Sequence, residues 1–102
     1  METKVTLLAY INILSGFEED VKEATIKLAA ETRKEPGSEQ FLVHTRSDSP
    51  RSLVFYEIYQ NDVAFQLHKT LPHATSYFEF VKGKIVDDKI EVVFLTPLKS
   101  SI

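Results

Sequence analysis

The chain has 102 residues, 43% of them hydrophobic and 26% charged, which is the make-up of one globular domain rather than a disordered tract. A net charge of -3 offers nothing to nucleic acid or an anionic membrane, and neither is expected as a partner. Cysteine is absent, which excludes disulfides, thiolate nucleophiles, iron–sulfur clusters and cysteine-ligated zinc. No apolar run approaches the roughly 18 residues of a membrane span, and the opening Met-Glu-Thr-Lys lacks the pattern of a signal peptide. A reducing cytoplasm is the expected location.

Residues 4–14 read as a first strand. Val5, Leu7, Ala9, Ile11 and Ile13 fall on one face and Leu8, Tyr10, Asn12 and Leu14 on the other. Both faces are largely apolar, so both are expected to be covered. Ser15-Gly16-Phe17-Glu18 has capping-box spacing and predicts a helix to about Lys34, with Val21, Ala24, Thr25, Leu28 and Ala29 as its inner stripe. Glu35-Pro36-Gly37 ends it.

A second strand is predicted over about Gln40 to Arg46 and a third over Leu53 to Tyr59, joined by a long polar loop from Ser47 to Ser52. Asn61 is a candidate N-cap for a second helix starting near Asp62. Pro72 breaks or restarts that helix, and Ala74, Tyr77, Phe78, Val81 and Ile85 continue an apolar stripe. A fourth strand near Ile90 to Thr96 stops at Pro97, and Lys99 to Ile102 read as a frayed or partner-contacting tail.

The order β-α-β-β-α-β is the split βαβ arrangement of an α+β ferredoxin-like fold with a four-stranded antiparallel sheet. Two helices cover one face of such a sheet. The other face, with Leu8, Tyr10 and an apolar last strand, then implies a homodimer packed sheet to sheet.

The segment richest in chemistry is Tyr56-Glu57-Ile58-Tyr59 followed by His68-Lys69-Thr70-Leu71-Pro72-His73. Phe55, Glu57 and Tyr59 share a strand face by alternation. A carboxylate and a phenol are thereby presented toward an imidazole on the helix above, a grouping able to move a proton. The competing reading is structural: a buried Glu57 bound to backbone or a dimer mate, His68 packed or capping, His73 bonded to a turn, and Tyr59 in the core. No metal site is expected, because His68 and His73 are five apart across a proline and His44 lies on another strand. The three glycines, at 16, 37 and 83, form no phosphate loop.

Glu35-Pro36-Gly37, Tyr56-Glu57-Ile58-Tyr59, Ala64 with His68, and Thr70-Leu71-Pro72-His73 together resemble the antibiotic-biosynthesis-monooxygenase superfamily over nearly the whole chain. The resemblance implies a dimeric α/β-barrel assembly, a pocket between sheet and helices, and oxidation of quinols or related aromatics by O2 without metal, flavin or other cofactor. Its quinol-oxidising branch carries asparagine, tryptophan and tyrosine where this chain has Phe55, Tyr59 and Phe65. Its heme-degrading branch uses an asparagine and a histidine near the positions of Ala9 and Tyr77, which argues against heme.

The series is most similar to the isomerase that processes phosphorylated autoinducer-2. By that likeness Glu57, His68 and His73 are catalytic candidates, Lys69 holds a phosphate, and Phe55, Tyr59, Phe65 and Tyr77 line the substrate pocket. Three functions follow as expectations: a cofactor-free monooxygenase for a small quinol-like or enolisable substrate, an isomerase of a phosphorylated hydroxy-dione, or a non-catalytic ligand-binding dimer.

Overall fold

The computed structural model describes residues 3–98; the tail expected over Lys99 to Ile102 lies outside them. The elements run β1 (Val5–Asn12), α1 (Glu18–Thr32), β2 (Ser38–Arg46), β3 (Ser49–Tyr59), α2 (Asp62–His68), α3 (Pro72–Val81) and β4 (Glu91–Leu95). The four strands form one antiparallel sheet in the order β2-β3-β1-β4. This is the ferredoxin-like α+β fold, with its second helix divided at the Thr70-Leu71 turn.

Alternation decides what each strand offers the core. Leu7, Ala9 and Ile11 of β1, Phe41 of β2, and Leu53, Phe55, Glu57 and Tyr59 of β3 all point to the helical face and are buried. Val21, Thr25, Leu28 and Ala29 of α1 and Ala74, Tyr77 and Val81 of α3 close on them. The opposite sheet face carries Leu8, Tyr10, Leu42, Tyr56, Ile58, Val93 and Leu95, all partly or largely exposed within one chain.

Several expected boundaries move. Ser15 is not the cap of α1: Phe17 holds the N-cap position, and Glu18 reaches back to accept from the Gly16 N–H at 2.7 Å. Gly16 turns the chain at φ 97°, which leaves no place for a Ser15 cap. The long loop between β2 and β3 is a two-residue turn at Ser47-Asp48 instead, and Pro50 and Arg51 lie inside β3. Ser49 pairs with Arg46, and the bidentate Arg46–Asp48 contact (3.0 and 2.8 Å) folds over the turn. Ile85 is not on the helix. α3 stops at Val81, Gly83 adopts φ 78°, and Ile85 pairs instead with Ile13.

Pro72 occupies the first turn of α3, where its missing N–H removes no helical bond. The edge strand β4 is exposed along its length, even at Val92 and Phe94 on the helical side; Phe65 of α2 meets Phe94 edge-on at 5.8 Å but leaves it 62% exposed. Among the described residues no helix is long and apolar enough to cross a membrane.

Candidate active site

A half-open cavity of about 100 Å³ lies between the sheet and the helices. Its floor is Leu7, Ala9, Phe41, Phe55 and Glu57; Phe65, His68, Lys69, Tyr77 and Phe78 form the walls, and Val92 marks the β4 side. Apolar cavities of roughly 150 Å³ admit a single benzene, so this space takes at most a one-ring molecule that extends into its open mouth. The aromatic lining is interlocked, with Phe55 edge-on to Phe41 (6.0 Å) and to Tyr77 (6.4 Å). Tyr77 contributes its ring while its hydroxyl bonds Thr25 at 2.7 Å; burial pushes that phenol up to about 12.

Glu57 is the acidic group in this lining and is only 7% exposed. The Tyr59 hydroxyl donates to its Oε1 at 2.7 Å. Burial pushes the Glu57 carboxyl from 4.5 up to about 7; the Tyr59 bond opposes the rise and the charge of Glu35 adds to it. Tyr59 is wholly buried and stands behind the cavity instead of lining it. Burial, with Glu57 beside it, drives its phenol well above the usual range, so the hydroxyl stays a donor. Lys69 holds its ammonium 4.7 Å from the centre of the Phe65 ring, at the cavity wall.

His68 lines the cavity and stacks on Tyr59, with ring centres 5.2 Å apart. Its Nδ1 lies 2.8 Å from Glu35 Oε2. The same oxygen is 2.6 Å from Nε2 of His73. An ionised carboxylate only accepts, so both rings donate to it, and in neutral imidazoles the lone pairs fall on Nε2 of His68 and Nδ1 of His73. His73 does not line the cavity. It faces a wider, open groove between α1 and α3, which it shares with Asp20, Glu23, Lys27 and Glu31.

Sequence reasoning therefore missed Glu35 as a site residue and separated two histidines that the fold brings together. The argument that a proline between them keeps His68 and His73 apart holds for one continuous helix. Here α2 ends at His68, the Thr70-Leu71 turn redirects the chain, and α3 restarts at Pro72, so both rings meet the same carboxylate. The loop carrying Glu35 is seated by Gly37, whose carbonyl accepts from Gln60 N–H at 2.9 Å and whose missing side chain lets Ala64 of α2 pack against it. The signal available in the sequence was the glycine itself, which permits a helix to approach the loop closely.

The class of protein is thus a ferredoxin-like α+β domain with a small apolar cavity that a buried carboxyl group and an imidazole both line. The chain belongs to the antibiotic biosynthesis monooxygenase family, whose model matches residues 4–79. Solved structures share its fold. Rv0793 from Mycobacterium tuberculosis superposes with a TM-score of 0.89 at 21% identity, covering 98% of this chain and 100% of that one. A Nitrosomonas europaea protein provisionally named an antibiotic biosynthesis monooxygenase gives 0.89 at 22% identity, covering 98% and 95%. A Lactobacillus acidophilus protein provisionally named a monooxygenase gives 0.86 at 27% identity, covering 94% of this chain and 45% of its own length. No curated protein matches the sequence.

Proposed function

We propose that this protein is a monooxygenase that needs no cofactor and acts on a small quinol-like or enolisable molecule, with Glu57 as the base. The observation that carries the reading is the Glu57 carboxyl buried in an apolar cavity with the Tyr59 hydroxyl fixed on one oxygen. A carboxylate tied up only in packing would be expected to have its oxygens bonded to backbone; Glu57 instead faces the cavity. A phenol ionises near 10, so an ordinary carboxylate of 4.5 falls short by about 5.5 units. Raising the base to about 7 closes the gap by about 2.5 units, or roughly 3.4 kcal/mol of the free energy of proton transfer.

Deprotonation leaves an electron-rich phenolate or enolate among the rings of Phe55, Phe65 and Tyr77. Electron transfer to O2 and recombination form a substrate peroxide. Glu57 returns its proton to the peroxide; loss of the hydrogen on the peroxide-bearing carbon together with hydroxide then leaves a carbonyl and water, so one oxygen atom ends on the substrate and the other in water. His68, its Nε2 lone pair free of Glu35, is the second acid–base group. Tyr77 and the aromatic wall bind the ring, and Lys69 holds an anionic substituent.

Two finer expectations belong to the same reading. The homodimer packs sheet to sheet, which covers Leu8, Tyr10, Val93 and Leu95; sedimentation showing a monomer at micromolar concentration would remove it. Isomerisation of a phosphorylated hydroxy-dione would use the same proton abstraction without O2. No separate observation favours that alternative, nor the binding-only one.

The decisive assay is O2 consumption with a panel of hydroquinones. Glu57→Gln should lower kcat/KM by roughly a hundredfold or more. Turnover that continues under argon, or that ignores this substitution, would refute the proposal.

A further inference from the structure

A second site adjoins the cavity. Glu35, His68 and His73 each turn one ligand atom toward a common point, and the three atoms lie within 4.8 Å of one another. Two of the separations, 2.8 and 2.6 Å between Glu35 Oε2 and the ring nitrogens, are hydrogen-bond contacts that need open only by under about 1 Å to reach the ~3.4 Å between neighbouring ligands of a tetrahedral cation with ~2.1 Å bonds. The third pair, the two ring nitrogens, lies within 4.8 Å and must close on binding; His73, its side chain 21% exposed at the start of α3, has more room to adjust than Glu35 and His68, at 9% and 6%.

We propose that Glu35, His68 and His73 form a binding site for a borderline divalent cation such as Zn2+, Co2+ or Fe2+. Two imidazoles and one carboxylate are the donor set such ions favour, whereas Mg2+ and Ca2+ prefer oxygen alone. A cation here replaces the proton on each bonding nitrogen and takes up the charge of Glu35. Its approach is through the α1–α3 groove, which Asp20, Glu23 and Glu31 line, Glu23 being paired with Lys27 and Glu31 with Lys34. Three protein donors leave further coordination positions open. The site uses Nδ1 of His68 and leaves its Nε2 toward the other side of the ring, so it neither requires nor excludes Glu57 as base.

The chain has three histidines, which makes the test direct. Tag-free protein stripped with chelator is titrated with Zn2+, and the ring nitrogens are followed in two-dimensional histidine NMR spectra. The His68 and His73 resonances should move together and saturate at one equivalent, while His44 on β2 stays in place. Glu35→Gln and His73→Ala should each weaken Zn2+ binding about tenfold or more, in calorimetric titrations of variants whose folding is checked by circular dichroism. The inference is overturned if His68 and His73 do not respond, if His44 alone responds, or if both folded variants bind as the parent does. Should either variant fail to fold, the spectra of the unaltered protein decide the matter. No substrate is used, so the outcome is independent of the oxygenase reading.

Discussion

The most exacting prediction concerns Glu57 and pH. Its carboxyl ionises at 4.5 when the chain is unfolded and at about 7 in the folded protein. Between those values the native state binds the extra proton, so unfolding releases it and stability falls as pH rises. The loss begins above pH 4.5 and is complete just past pH 7. A gap of about 2.5 units corresponds to roughly 3.4 kcal/mol over the full window, of which about 2.5 kcal/mol falls between pH 5 and pH 8. The group is only 7% exposed, so solvent screening removes little of this.

Glu57→Gln keeps the shape and a carbonyl oxygen for the Tyr59 hydroxyl but cannot ionise. Urea denaturation of both proteins at pH 5 and pH 8 isolates the effect, because every other titrating group cancels in the difference. The stability of Glu57→Gln relative to the parent should rise by about 2.5 kcal/mol from pH 5 to pH 8. A difference that stays constant within about 0.5 kcal/mol across that range would show that burial does not hold the proton on Glu57, and the base assignment would lose its physical ground.

Tyr59→Phe removes a hydrogen bond that favours the ionised carboxylate, so the Glu57 carboxyl should titrate still higher; carboxyl-carbon NMR titration reads the direction, and a downward move contradicts the geometry. Thr25→Val leaves the Tyr77 hydroxyl buried without its partner and should cost about 1–3 kcal/mol in chemical denaturation. The double change with Tyr77→Phe should recover much of that loss, because no orphaned polar group remains. Gly37→Ala drives a methyl into Ala64 of α2 and should destabilise by about 1–3 kcal/mol while displacing the loop that carries Glu35. The same variant should also weaken Zn2+ binding at the Glu35 site, as calorimetry would show.

The alternation of β1 and β3 made the core face readable from the chain alone, since a period of two leaves no choice about which side Leu7, Phe55, Glu57 and Tyr59 share. Element order and the helix restart at Pro72 were legible for equally local reasons, namely capping chemistry and a fixed proline φ. Local signals misled where two of them competed: the polar run from Ser47 to Ser52 looked like a loop, although strand pairing extends through Pro50 and Arg51.

What pattern could not supply was any relation between segments. Glu35 meets His68 and His73 from 33 and 38 positions away, through a turn after α2 and a glycine-sized gap under Ala64. The rise of the Glu57 carboxyl likewise depends on the elements that bury it, and the exposure of β4 on its place at the sheet edge, where Phe65 of α2 covers Phe94 only in part. The sequence by itself thus determined the strands, the helices and the inward side of the carboxylate, because those follow from bonds and neighbours along the chain. Tertiary packing alone decided which charges meet and which group loses its water, because desolvation and ionic contact are set by residues distant in sequence.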